Sequence, residues 1–123
     1  MKLIEAIARI DKLKHNTYSR EEKLRWLSTL DGLVKALILD THAGTKATPF
    51  RPYNAATPDD TVLLVPAPYD ELYLWWLAAQ IDYYNGELAA YNNSIALFNT
   101  GYSVFAQAYT RQNPPLPATG AFR

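Results

Sequence analysis

The sequence predicts a mainly α protein: a small helical bundle with a long antiparallel αα-hairpin and a small β-hairpin/loop insert. Three observations predict this class. First, Leu88, Tyr91, Ile95, Phe98, Tyr102, Phe105 and Tyr109 follow one another at alternating steps of 3 and 4, an unbroken heptad seam. Second, Asn85-Gly86, a strong turn dipeptide, stands directly before that seam and behind another apolar segment, so two helices fold back on each other. Third, residues 1–40 carry further apolar stripes at helical spacing, whereas a β-branched run occurs only at 61–65. A chain of 123 residues suits one domain with one modest core.

Taken in order, Leu3, Ile4, Ile7, Ile10 and Leu13 form the stripe of a first helix over about 2–13. Ser19 and Glu22 make an S-x-x-E capping box ahead of a second helix over about 20–40. Its apolar positions are Leu24, Leu27, Leu30, Val34, Leu37 and Ile38. Gly32 weakens that helix and Gly44 stops it. Residues 44–66 read as a loop insert, in which 61–65 predicts a strand and 50–53 its partner. Pro66 and Pro68, followed by Asp70 and Glu71, predict the start of a third helix over 68–84, with Leu72, Trp75, Trp76, Ala79 and Tyr83 on it. The fourth helix runs over 87–112 and completes a single domain of residues 1–112. Residues 113–123 are Pro-rich and predict a flexible, extended tail whose loss leaves stability nearly unchanged.

The composition is 49% hydrophobic and 13% aromatic, with nine Tyr and no Cys. Absence of Cys excludes disulfides, thiolate metal sites and Cys nucleophiles, and suits a reducing cytoplasm. Glu5, Arg9 and Asp11 interrupt any apolar run at the start, so no secretory signal is expected. The apolar run at 72–79 is too short to span a bilayer, so no membrane partner is expected. Net charge is zero but divided. Residues 1–51 hold ten Lys/Arg against six Asp/Glu, and residues 52–123 hold two Arg against six Asp/Glu, giving +4 and −4. Either these faces pair within the domain, or the positive side of one copy meets the negative side of another.

The chemistry-bearing patterns are sparse. No H-E-x-x-H, Asp-rich metal loop, G-x-S-x-G, P-loop or G-x-G-x-x-G is present. Asp59-Asp60 are adjacent and point apart, and Asp70-Glu71 suit a helix start better than acid–base work. Asp82 and Glu87 flank a turn without EF-hand spacing. No enzyme, cofactor or metal site is expected. Lys12, Lys14, Arg20 and Lys23 form a loose basic cluster, with His15 and Arg25 near it and Trp26 beside it. It suits non-specific DNA or phosphate contact and lacks any base-reading motif.

Residues 88–110 contain no charged side chain. A helix at the edge of a monomer normally has a charged outer face. Here that face is neutral, with Asn92, Asn93, Asn99, Thr100, Ser103 and Gln107, and Ser94 among them, which predicts a subunit interface. A family resemblance follows from the order of segments. Residues 18–27 (YSREEKLRWL) open a helix, and a loop-and-strand insert leads to residues 64–72 (LVPAPYDEL). Tyr91-Asn92-Asn93-Ser94 with Phe98, Tyr102 and Phe105 then close the chain's helical part. This order resembles the head–tail connector (neck adaptor, or head-completion) proteins of tailed bacteriophages and prophages, over nearly the whole chain.

The resemblance implies a helical adaptor in the virion neck, made in the host cytoplasm. It implies a homo-oligomeric ring on the portal protein that joins head to tail around the DNA channel, with downstream neck and tail proteins as further partners. It also implies portal docking through the C-terminal segment, which here falls on Pro114, Pro115, Leu116, Pro117 and Phe122. The rival is a tetratricopeptide-like helical protein-binding module, because 68–112 resembles one such unit. Residues 1–45 do not repeat it at a fixed period. A prophage regulator and a small enzyme are weaker rivals, for want of a recognition helix and of catalytic groups.

Overall fold

The computed structural model describes residues 1–44 and 48–117. The protein is mainly helical. Helix α1 spans Leu3–Leu13 and α2 spans Arg20–Val34, continued by one π-helical stretch at Lys35–Leu39. Helix α3 spans Leu72–Tyr84 and α4 spans Leu88–Gln112. Half of the expected capping box forms at α2: the Glu22 amide donates to Ser19 Oγ at 3.1 Å, while the Glu22 carboxylate lies 3.4 Å from Arg25 instead of turning back to the Ser19 amide. Gly44, just past the second helix, has φ +86°, and Gly86 in the α3–α4 turn has φ +74°.

Helix α3 is the middle layer. It packs on α1 and α2 on one side and on α4 on the other. Leu72, Tyr73, Leu74, Leu77, Ala78, Ala79, Ile81 and Asp82 are all buried, so most of its circumference is covered. Trp75 and Tyr83, also on this helix, lie exposed. The core continues through Leu3, Ile7 and Ile10 of α1, Leu24, Leu27, Leu30 and Val34 of α2, and Phe98 and Phe105 of α4. Ile4, Leu13 and Leu37 leave their predicted stripes for solvent. For Leu37 the reason is the π-helical stretch, closed by the Asp40 amide on the Lys35 carbonyl at 2.9 Å. Its wider turn rotates Leu37 out while Ile38 stays buried.

The insert differs from its prediction. No strand occurs among the described residues, and 61–65 does not pair with 50–53. Val62 instead forms an isolated antiparallel bridge with Lys2. The carbonyls of Asp59 and Thr61 accept from the amides of Ile4 and Leu3 at 3.1 and 2.8 Å. These are amides that α1 cannot satisfy internally, so the segment caps α1. Pro52 makes 50–53 a poor partner, since it has no amide to donate to a ladder. Helix α3 also starts later than expected, at Leu72. Asp70 and Glu71 precede it and bind α1's end of the molecule, pairing with the Met1 amine at 3.2 Å and Arg9 at 3.1 Å.

Residues 113–117 of the expected tail are placed against the end of the second helix. The Pro114 carbonyl accepts from the Ala43 amide at 2.9 Å, and the Leu116 amide donates to the Thr41 carbonyl at 2.8 Å. Pro115 forms an isolated bridge with His42. Residues 118–123, Phe122 among them, lie outside the described residues.

Candidate functional site

Helix α4 presents two unlike faces. Along the seam, Phe98 and Phe105 are buried, and Tyr91, Ile95, Tyr102 and Tyr109 are partly buried. Leu88 starts the seam but is exposed. Phe98 packs 5.0 Å from Trp76, and Phe105 5.8 Å from Tyr69, between ring centroids. The two helices approach closely at Gly101, where a Cβ would lie 3.4 Å from Leu72 Cβ. On the opposite face Asn92, Asn93, Asn99, Thr100, Ser103 and Gln107 are all exposed, with Gln107 Nε2 donating to Ser103 Oγ at 3.2 Å. Leu97 and Val104 join them at 49% and 48% exposure. Ser94 belongs elsewhere: its hydroxyl donates to the buried Asp82 carboxylate at 3.0 Å, on the inner flank.

The basic cluster is largely used up within the molecule. Lys14 Nζ lies 2.6 Å from Asp82, Lys23 Nζ is buried and 2.6 Å from Asp11, and Arg20 pairs with Asp59. Lys12 is exposed. A free phosphate-binding cluster of Lys12, Lys14, Arg20 and Lys23 is therefore not what the fold assembles. The pairs of Met1, Arg9, Lys14 and Arg20 all run from the positive half to the negative half, so part of the divided charge is paired inside the domain.

Sequence reasoning missed a buried polar cluster around Asp31. This carboxylate has no exposed surface. It accepts from Tyr53 Oη at 2.5 Å, Tyr73 Oη at 2.6 Å and the Leu64 amide at 3.1 Å. Tyr73 Oη in turn accepts from the Val65 amide at 2.7 Å. Burial raises the Asp31 pKa above the ordinary carboxylate range, and the Tyr53, Tyr73 and Leu64 donors oppose that rise. Both tyrosine hydroxyls are raised, first by burial and then by the Asp31 charge, so they stay protonated as donors. The cluster ties the insert to α2 and α3. The one available signal was an Asp on the apolar side of α2, at the i+1 position from Leu30.

A groove of about 700 Å³ runs between α2 and residues 50–55. Leu24, Gly32, Leu33, Phe50, Pro52 and Tyr53 line its apolar part, and the Tyr53 hydroxyl is bound to Asp31. Among the described residues no group of three His, Cys, Asp or Glu side chains is placed to hold a metal ion, and no helix is long and apolar enough to cross a membrane.

Comparison with known proteins returned nothing. No protein-family model, curated protein or solved structure matches this chain.

Proposed function

We propose that this protein is a non-enzymatic structural adaptor of a phage or prophage neck. It assembles as a ring on the portal and connects head to tail around the DNA channel. The observation that carries the reading is the outer face of α4. Over 25 residues, about 37 Å of helix, it offers solvent amides, hydroxyls, Leu97 and Val104, with no charge before Arg111. Charges are costly to bury in an interface, and their absence from so long a face suits a surface covered by the next protein of an assembly. The phage assignment rests on the order of segments that resembles the connector family.

The Asp31 cluster supports a structural role for its buried polar groups, because its hydroxyls and carboxylate satisfy one another. DNA contact is no part of the proposal, since Lys14, Arg20 and Lys23 are already paired. The resemblance assigns residues 114–117 to the portal, together with Phe122.

Quantitative mass spectrometry on tailed particles from the source organism tests the reading. The expected result is roughly a dozen copies per particle, as a ring matched to a portal requires. Absence from intact particles, with the chain abundant in the lysate, rejects the adaptor and favours the tetratricopeptide-like binding module.

A further inference from the structure

The two ends of the molecule differ in chemistry. The second helix with its π-helical continuation is about 30 Å long, and α4 is about 37 Å long. At one end they meet where His42 Nε2 lies 2.9 Å from Thr110 Oγ1 and the His42 ring packs edge-on to Tyr109. At the other end the start of α2 meets the α3–α4 turn, with Tyr18 Oη donating to Asn85 at 2.6 Å.

This second end is built of tyrosines. Tyr83, Tyr84 and Leu88 are 56%, 57% and 66% exposed. Tyr84 stacks on the buried Trp26 at 5.8 Å and 10°, Tyr83 stands edge-on to Tyr84 at 5.1 Å, and Tyr91 lies 5.7 Å from Tyr83. The rings brace one another, so the surface is pre-organised. The hydroxyls of Tyr83, Tyr84 and Tyr91 have no hydrogen-bond partner among the described residues. They are donors held on an apolar face.

The first end carries the complement. Residues 114–117 read Pro-Pro-Leu-Pro and all four are exposed. Their backbone is held against Thr41 and Ala43, so the segment stands as a ridge. Its only amide, that of Leu116, is already spent on Thr41, while the Pro115 and Leu116 carbonyls accept no bond among the described residues. A proline ridge with surplus acceptors matches a tyrosine face with surplus donors, the chemistry by which aromatic-lined surfaces hold Pro-rich segments. Exposed Arg111 precedes the ridge and exposed Glu87 borders the tyrosines. Those charges favour the same orientation.

We propose that residues 114–117 of one copy dock on the Tyr83–Tyr84–Tyr91 face of a second copy, head to tail. The ridge is anchored at the far end of α4 from its own tyrosines, so a second copy is the receiver. A contact between two different patches is heterologous, and such contacts form a ring where the rotation from copy to copy closes and a filament where it does not. The proposal deepens the adaptor reading by naming a contact between copies, and it gives the ridge to the neighbouring copy in place of the portal.

Sedimentation velocity on the full chain tests it by complementation. One variant, Leu116→Asp, spoils the ridge. A second, Tyr83→Ser with Tyr84→Ser, spoils the face. Should that one melt early by circular dichroism, Tyr83→Phe with Tyr84→Phe removes only the donors. The wild type is expected to associate as its concentration rises, and each variant alone to stay monomeric. An equal mixture is expected to form a heterodimer and stop there, because only one intact ridge and one intact face remain. Wild type that is monomeric up to about 1 mM, variants that associate like wild type, or a mixture without heterodimer each overturn the docking. Presence of the chain in particles would then still uphold the adaptor, and its absence would leave a positive complementation standing.

Discussion

At the scale of single residues, Asp31 is tightly constrained. Three donors converge on a carboxylate with no exposed surface. Asp31→Asn keeps the size but turns one acceptor into a donor that faces donors. The expected cost is about 2 kcal/mol in urea unfolding at neutral pH, the scale of an unsatisfied buried polar group. The pH dependence has a definite sign. Burial raises the folded pKa of Asp31 above its unfolded value. Between those two values the folded state holds the extra proton, so this group's contribution to stability grows as pH falls. The stability gap between wild type and Asp31→Asn should therefore widen from pH 7 towards pH 4. A gap that stays constant over that range would show that burial does not govern the carboxylate's titration.

At the scale of elements, α4 separates folding from assembly along one helix. Phe98 and Tyr102 lie on the seam, and Phe98 is buried between α4 and α3. Phe98→Asp or Tyr102→Asp places a charge against α3 and is expected to abolish cooperative thermal unfolding. Asn93→Lys and Thr100→Lys lie on the exposed face and should shift stability by no more than about 0.5 kcal/mol. The same two variants should fail to incorporate into particles. Normal incorporation would remove the argument from the uncharged face. Gly101 adds a test of the helix–helix approach. Its position against Leu72 leaves room for little beyond a methyl group, so Gly101→Leu should cost about 1–3 kcal/mol in chemical unfolding.

At the scale of the whole molecule, the placing of residues 113–117 changes what truncation should do. A loose tail would be dispensable. The bonds from Ala43 to Pro114 and from Leu116 to Thr41 instead join the end of the second helix to the end of α4. Deleting residues 113–123 is expected to lower stability by about 1–2 kcal/mol, the net worth of a few backbone hydrogen bonds. Hydrogen exchange at the Ala43 amide should quicken most. An unchanged exchange rate there would mean that the ridge is not held on 41–43 in solution. The same ridge supplies one half of the head-to-tail contact, so the truncated chain should also lose self-association.

Local patterns in the sequence were enough for the four helices, the Ser19 cap and the Asn85-Gly86 turn, because side-chain spacing and backbone preference act over a few residues. The neutral face of α4 was legible for the same reason: a seam at one side of a helix determines which residues lie opposite it. Four features were decided by tertiary structure. Residues 61–65 have strand-like composition, yet their backbone partners are Met1, Leu3, Asp31 and Tyr73, which no local rule brings together. The basic residues of 12–23 read as one cluster until Asp82, Asp59 and Asp11 are folded against them. Asp31 reads as one polar residue in a helix until Tyr53 and Tyr73 close on it from 22 and 42 positions away. The tyrosine end gathers Tyr18 and Trp26 from α2's start with Tyr84 and Tyr91 from the hairpin. Partners this distant in the chain are chosen by how the layers pack, and the spacing of side chains along one element carries no record of that choice.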